Sequence, residues 1–270
     1  MGYLEYNFRS KILGRHTTIS IFIPSLDRMG ATLEETYPAD IVFPVLYLMH
    51  GGSHDSRSWF HTTMVETYAQ EKQLMLVSAD LEASWCANTV YGEAFYDYVT
   101  QEVMLVAQRL FHASPEREDN FIAGFSMGGY CAMKIGLRNP DKFAACFGMS
   151  GAKDSVKMRQ LASSMGITPG VKENYTLGRI DEMYGTENDL LHLAKLLSEK
   201  EDVKTKYYTS CGQEDYGYAL CKEFADYLDQ LGLTHEFFPV HGKHDMLCGD
   251  ETIRMAIRDV FEINPPHKLK

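Results

Sequence analysis

The chain has 270 residues, of which 45% are hydrophobic and 23% charged, as in ordinary globular proteins. A chain of this length buries roughly 70–75% of its unfolded surface, so a single α/β domain over residues 1–270 is the simplest expectation. The net charge of −11 argues against nucleic acid and anionic membranes as partners, because both need clustered cations. The composition leaves the oligomeric state open, a homo-oligomer included.

The six cysteines form no C-x-x-C pair and have no zinc-ligand spacing with histidine, so no metal site is expected. The N-terminus has no basic region followed by an apolar stretch, and the apolar run at 41–49 is too short to cross a bilayer. These observations predict a cytoplasmic protein without a signal peptide.

Along the chain, strand patterns alternate with helix patterns. Two alternating segments, 4–8 and 17–24, precede a polar loop at 25–40. The continuous apolar run at 45–49 is typical of a parallel strand that is buried on both faces. The later elements are predicted as strands at 74–79, 121–125, 143–149, 203–210 and 234–240, with a helix at 96–111. This alternation predicts a mostly parallel central sheet flanked by helices.

The segment 151–200 is long for a simple crossover between two strands. It contains glycine and proline breaks around short helical patches. We interpret it as a small helical cap insertion over the active site, with a decorated surface loop as the alternative.

The pattern G-x-S-x-G follows the predicted strand at 121–125, with Ser126 at its centre. A serine becomes a nucleophile when a base removes its proton and the side chain stands clear of the backbone. A sharp strand-to-helix turn meets the second need, and flanking glycines keep Cβ atoms out of it. The pattern also occurs by chance in surface turns, but this strand–turn–helix context favours Ser126 as a nucleophile.

A catalytic serine needs a histidine base, and the histidine needs a carboxylate that fixes its tautomer. In α/β-hydrolases the acid follows a late strand, where a glycine turn carries Glu214 and Asp215 after the strand at 203–210. We predict Asp215 as the acid and keep Glu214 as the alternative. After the last strand, His244 opens a helical segment, whereas His241 stands at the strand end. We therefore predict His244 as the base and a structural role for His241.

The oxyanion hole of such a site combines two backbone N–H groups, one following the nucleophile and one in the loop after an early strand. Met127 is the residue after Ser126, and the run at 45–49 ends in His50, Gly51 and Gly52. The predicted donors are therefore the N–H groups of Gly52 and Met127, with His50 bracing the loop.

Five segments together resemble the esterase D family of α/β-hydrolases, nearest its bacterial tributyrin-esterase branch: residues 44–52, 124–130, 138–143, 212–215 and 242–245. The likeness extends from about residue 4 to residue 261. It implies the α/β-hydrolase fold and a serine carboxylesterase whose triad is Ser126, Asp215 and His244. Met246 departs from the family pattern, because relatives often have an aromatic residue after the histidine and aspartate.

The resulting hypothesis is a serine carboxylesterase that acts on small-molecule esters and needs no cofactor. S-formylglutathione hydrolase and feruloyl esterase are alternatives with the same triad, and an inactive binding module on the same fold is the non-enzyme alternative. Bulky side chains of Trp59, Trp85 and Met127 near the serine predict a preference for short acyl chains. The candidates for substrate contact, against ordinary core or rim packing, are Trp59, Trp85, Tyr91 and Tyr216.

Overall fold

A central sheet of eight strands organises the computed structural model, which describes residues 2–89, 92–166, 176–179 and 182–268. The strand order is β1-β2-β5-β4-β6-β7-β8-β9. β1 and β2 are antiparallel to their neighbours, and β4 to β9 pair in parallel. The strands within these described ranges are β1 (Gly2–Arg9), β2 (His16–Ile23), β3 (Ile41–Val42), β4 (Val45–Met49), β5 (Met75–Ala79), β6 (Asn120–Phe125), β7 (Ala145–Met149), β8 (Lys206–Gly212), β9 (His235–Val240) and β10 (His267–Lys268).

Helices cover both faces of this sheet. Their bounds are α1 (Leu33–Thr36), α2 (Ser58–Thr62), α3 (Val65–Glu71), α4 (Phe95–Asp97), α5 (Met104–Phe111), α6 (Met127–Arg138), α7 (Ser155–Ser164), α8 (Leu190–Ser198), α9 (Tyr218–Gln230) and α10 (Met246–Met255). A π-helical segment, Tyr98–Val103, joins α4 to α5. The core on one face packs α4 to α6, α8 and α9, and the core on the other packs α2, α3 and α10. The result is a three-layer α/β/α arrangement.

The mostly parallel sheet with flanking helices agrees with the sequence-based prediction. β4 is a run of five fully buried residues, as its continuous apolar sequence predicted. Most strand boundaries differ from the predicted ones by one or two residues, and the largest difference is that β8 begins at Lys206 rather than at 203. The polar loop at 25–40 contains the short helix α1, which was not predicted. Thr32 and Glu35 form a capping box at the start of α1, a local pairing that stabilises a single helical turn.

The segment 151–200 does not form one uniform insertion. Helix α8 packs on α6 within the main core, so the end of the segment belongs to the central helical layer. Earlier residues of the segment, Val156, Leu177 and Met183, form a small cluster with Ala87 of the main body. Residues 167–175, 180 and 181 of the predicted cap lie outside the described residues.

None of the helices in the described ranges combines the length and the apolar character needed to cross a bilayer.

Candidate active site

Ser126 occupies the turn between β6 and α6 with φ 59° and ψ −122°. This backbone conformation is costly for a residue other than glycine, and it persists where its surroundings fix it. The Ser126 N–H donates to Met149 O at 2.8 Å, and the turn packs closely against β4. A Cβ at Gly128 would lie 2.0 Å from Met49 O, so this turn needs glycine there. The serine side chain is thereby held clear of the backbone.

His244 precedes α10, and its Nε2 lies 2.8 Å from Ser126 Oγ. Its ring contacts Phe125 and Tyr216, each with a centroid separation of 5.0 Å. His241 is exposed at the end of β9. Of the two histidines considered from the sequence, the structure therefore brings His244 to the serine.

Asp215 follows β8, and its Oδ2 lies 2.7 Å from His244 Nδ1. Its side chain has no solvent exposure, and its Oδ1 accepts the Gly217 N–H at 2.8 Å. Burial raises the pKa of this carboxyl, but the bond from His244, the charge of that ring, the Gly217 N–H and Lys153 outweigh burial and lower the pKa to about 2. An ionised Asp215 requires the proton on Nδ1, which leaves Nε2 to accept from Ser126.

Glu214, the alternative acid, lies elsewhere. Its Oε2 accepts the Gly242 N–H at 2.6 Å, and its own N–H donates to Gly242 O at 3.1 Å. A Cβ at Gly212 would lie 2.3 Å from the same Gly242 carbonyl. The loop after β8 and the loop after β9 therefore lie against each other through backbone contacts.

The two predicted oxyanion donors lie side by side. A Cβ at Gly52 would lie 3.8 Å from Met127 Cβ, and both residues line the pocket that contains Ser126. Met127 begins α6, so its N–H is among those that a helix start leaves free. His50 is buried beneath this loop, and its Nε2 accepts the Leu81 N–H at 2.9 Å, so its Nδ1 donates to Gly51 O at 2.7 Å.

The structure corrects the expectation that Trp59 contacts substrate. Trp59 is 1% exposed, lies outside the pocket, and donates its Nε1–H to Met49 O at 3.1 Å. It lies on α2 and packs in the core with residues of α3 and β4, where it supports the end of β4. Trp59 is close in sequence to the predicted oxyanion loop, but this position did not show on which side of the loop its ring lies.

Trp85 and Tyr216 do line the pocket, whose volume is about 510 Å³. The Trp85 ring meets Tyr130 edge-on at 5.3 Å, and Tyr216 is 43% exposed at the rim. Tyr91 lies outside the described residues. Of the four aromatic candidates, the structure therefore brings two to Ser126.

Several pocket residues were not predicted from the sequence: His54, Lys153, Ser155, Met158, Arg159, Ala162 and Leu177. All but His54 belong to the segment 151–200, so residues of the predicted insertion line part of the pocket. The position of Lys153 just after β7 could have indicated that it lies in the pocket, because ligand sites of parallel sheets lie at the carboxyl ends of the strands. Within the described ranges, no group of three or more His, Cys, Asp or Glu residues could hold a metal ion.

The sequence matches the Esterase family model over residues 10–230, most of the chain. This chain belongs to the Esterase family. A curated relative, an acetyl esterase from Caldicellulosiruptor saccharolyticus, is 23% identical over 248 residues, which cover 91% of this chain and 92% of the relative.

Two similar solved structures come from Staphylococcus aureus. The fluorophosphonate-binding serine hydrolase FphF is 28% identical with a TM-score of 0.83, and the match covers 97% of this chain and 98% of FphF. The S-formylglutathione hydrolase FrmB is 28% identical with a TM-score of 0.82, covering 97% of this chain and 99% of FrmB. This Esterase family member therefore has the α/β-hydrolase fold and is a carboxylic ester hydrolase.

Proposed function

We propose that this Esterase family member is a serine carboxylesterase of the esterase D type that hydrolyses short-chain acyl esters, as tributyrin esterases do. Ser126 is the nucleophile, His244 the base and Asp215 the acid. The observation that carries the proposal is the continuous chain of contacts, 2.8 Å from Ser126 Oγ to His244 Nε2 and 2.7 Å from His244 Nδ1 to Asp215 Oδ2. A serine, a histidine and a buried carboxylate in this order suit acyl transfer.

In the first half of the reaction, Ser126 Oγ attacks the ester carbonyl while His244 Nε2 takes its proton. The carbonyl oxygen becomes an anion that accepts from the Gly52 and Met127 N–H groups, a contribution typically worth about 10²–10³ in rate per donor. The tetrahedral intermediate then expels the alcohol, which leaves with the proton that His244 returns. Asp215 stabilises the imidazolium during both steps.

In the second half, water replaces the alcohol. His244 takes a proton from the water, whose oxygen attacks the acyl carbonyl, and the same oxyanion donors hold the second tetrahedral intermediate. Its collapse releases the carboxylic acid and returns the proton to Ser126. His244 carries every proton transfer in this scheme, and the backbone N–H groups of Gly52 and Met127 only donate hydrogen bonds to the oxyanion.

The short-chain preference rests on the walls of the pocket. Trp85 and Met127 belong to the main body, and Met158 and Leu177 belong to the segment 151–200. We assign this part of the segment the role of a cap that limits the length of the acyl group.

Labelling with a fluorophosphonate tests the proposal, because an activated serine attacks the phosphorus, expels fluoride and becomes phosphonylated. We expect the wild-type protein to be labelled and to hydrolyse p-nitrophenyl acetate, and Ser126→Ala to lose both activities while its thermal unfolding stays unchanged. An unlabelled, folded wild-type protein would support the inactive binding module instead. Residual hydrolysis above a few per cent in folded Ser126→Ala would assign the chemistry to another group.

Thioester hydrolysis is the second candidate, supported by the 28% identity to the S-formylglutathione hydrolase FrmB. The same triad serves esters and thioesters, so the site geometry does not distinguish the two activities. A comparison of thiol release from S-formylglutathione with hydrolysis of p-nitrophenyl acetate distinguishes them. Methyl hydroxycinnamates test the feruloyl esterase alternative, for which Trp85 and Tyr216 in the pocket are the relevant side chains.

A reducing cytoplasm remains the proposed location, in keeping with six buried free thiols.

A further inference from the structure

Lys153 is a buried cation beside the candidate active site for which the acyl-transfer scheme gives no role. It is 7% exposed and lies shortly after the end of β7. Its Nζ donates to Ser150 O at 2.7 Å. Within the described part of the chain it forms no ion pair, although burial of an unpaired charge is costly.

The ammonium group of Lys153 points to the loop that carries Asp215. A Cβ at Gly217 would lie 2.7 Å from Lys153 Nζ and 3.3 Å from Asp215 Oδ1, so these charged atoms are at most about 6 Å apart. Lys153 Nζ also lies 6.0 Å from the ring centroid of Tyr216, and that ring contacts His244. The lysine therefore lies near Asp215 Oδ1, whereas the other oxygen of this carboxylate faces His244.

We propose that Lys153 is a positioning residue that holds the Asp215 loop and opposes protonation of His244. This inference rests on the proposed triad. The hydrogen bond from Lys153 to Ser150 O fixes the ammonium, and the fixed charge lies close to a carboxylate with no solvent exposure. A cation near an imidazole disfavours the imidazolium, so removal of the Lys153 charge should be visible in the acid limb of the pH–rate profile.

Other titratable or charged groups surround the same carboxylate and histidine: Cys211 on β8, Cys221 on α9, Cys248 on α10, and Glu214, Tyr216 and Asp245 in the two loops. They are identical in all the Lys153 variants. A difference between these variants therefore reports on the lysine charge and on its hydrogen bond.

The test compares Lys153→Met with Lys153→Arg and with Lys157→Met as a matched control. Lys157 lies on α7, half-exposed, in an ion pair with Glu223. The measurement is kcat/KM for p-nitrophenyl acetate from pH 5 to 9. A unit charge roughly 10 Å from a titrating ring, at an effective dielectric constant of about 20 to 40, moves its titration by roughly 0.6–1.2 units.

We expect the acid limb of the Lys153→Met profile to move upward by about 0.6–1.2 pH units, because the imidazolium forms more readily without the cation. Lys153→Arg keeps the charge and should keep the wild-type midpoint, as should Lys157→Met. If Lys153→Met does not fold, Lys153→Gln replaces it, since its side chain is neutral and keeps a hydrogen-bond donor.

Two results would overturn the inference. One is an unmoved midpoint in a folded neutral variant whose plateau rate falls, which would mean that Lys153 only closes the turn after β7. The other is a Lys153→Arg profile that shifts as far as that of the neutral variant. These results are distinguishable from a failure of the proposed triad. If the triad were wrong, the pH–rate profile of the wild-type protein would lack an acid limb, or hydrolysis would persist in Ser126→Ala.

Discussion

Glu214 binds the backbone of Gly242 rather than His244, with its carboxylate 2.6 Å from the Gly242 N–H. Two adjacent carboxylates in one turn therefore have separate tasks. Asp215 faces the imidazole, and Glu214 joins the turn to the loop that leads to His244. The distance between Asp215 and His244 is therefore maintained by backbone contacts as well as by the hydrogen bond between the two side chains.

Replacement of Asp215 and Glu214 by their amides should give very different results. Asp215→Asn should lower kcat by roughly 10⁴, because an amide favours the wrong tautomer of His244. Glu214→Gln keeps an oxygen that can accept from Gly242 N–H and should lose less than about tenfold. The measurement is kcat for p-nitrophenyl acetate in folded protein. A larger loss for Glu214→Gln would exchange the two roles.

Replacement of His244 and of His241 should also have different effects on activity. His244→Ala should be inactive, because no other base lies within hydrogen-bond distance of Ser126 Oγ in the described ranges, and His241→Ala should retain measurable turnover. For the wild-type enzyme, kcat/KM should fall as the pH is lowered towards 5. The pKa of Asp215 is about 2, so this carboxylate stays ionised throughout and the loss reports protonation of the base. A flat profile from pH 5 to 8 would contradict a histidine base.

Acyl chain length should be limited by the wall that contains Trp85. We expect kcat/KM to be highest for acetyl to butyryl p-nitrophenyl esters and to fall steeply by octanoyl. Trp85→Ala should raise the octanoyl-to-butyryl ratio at least about tenfold, since each buried methylene is worth roughly 0.8 kcal/mol. Assays below the micelle limit are required. Faster wild-type hydrolysis of decanoyl than of butyryl esters would refute the short pocket.

Trp59 provides the matched control for Trp85. Because its ring packs in the core and supports the end of β4, Trp59→Ala should lower the free energy of unfolding by about 3–5 kcal/mol. The octanoyl-to-butyryl ratio of the folded fraction should stay near the wild-type value. A change in chain-length preference as large as that of Trp85→Ala would return Trp59 to the substrate site.

Lys134 should make stability depend on alkaline pH. It is fully buried in α6, donates to Cys86 O at 2.8 Å and Asn188 Oδ1 at 2.6 Å, and burial lowers its pKa to about 8. Between pH 8 and the ordinary lysine range, the unfolded chain binds more protons than the folded one, so stability from this group rises with pH. The free energy of unfolding of wild type minus that of Lys134→Met should increase by on the order of 1 kcal/mol from pH 7 to 9. A difference between the two proteins that stays constant over this range, measured by urea unfolding, would contradict the assignment.

Local sequence determined the elements and the chemistry-bearing turns. Local sequence was enough to interpret the apolar run of β4, the G-x-S-x-G turn and the glycine turns at 212 and 242. The structure of each depends on a few consecutive residues, because backbone sterics and strand burial act over that range. Their order along the chain then predicted which end of the sheet would gather Ser126, Asp215 and His244.

The tertiary structure decided which side of each element a neighbouring side chain occupies. Trp59 and Trp85 both looked like pocket residues, and only their packing against β4 and Tyr130 distinguished a core ring from a wall. Lys153 and Glu214 are positioned by contacts with Ser150 and Gly242, whose direction depends on how β7, β8 and β9 pair. Such contacts join separate segments, so their geometry is set by the packed sheet and not by the residues next to them in the chain.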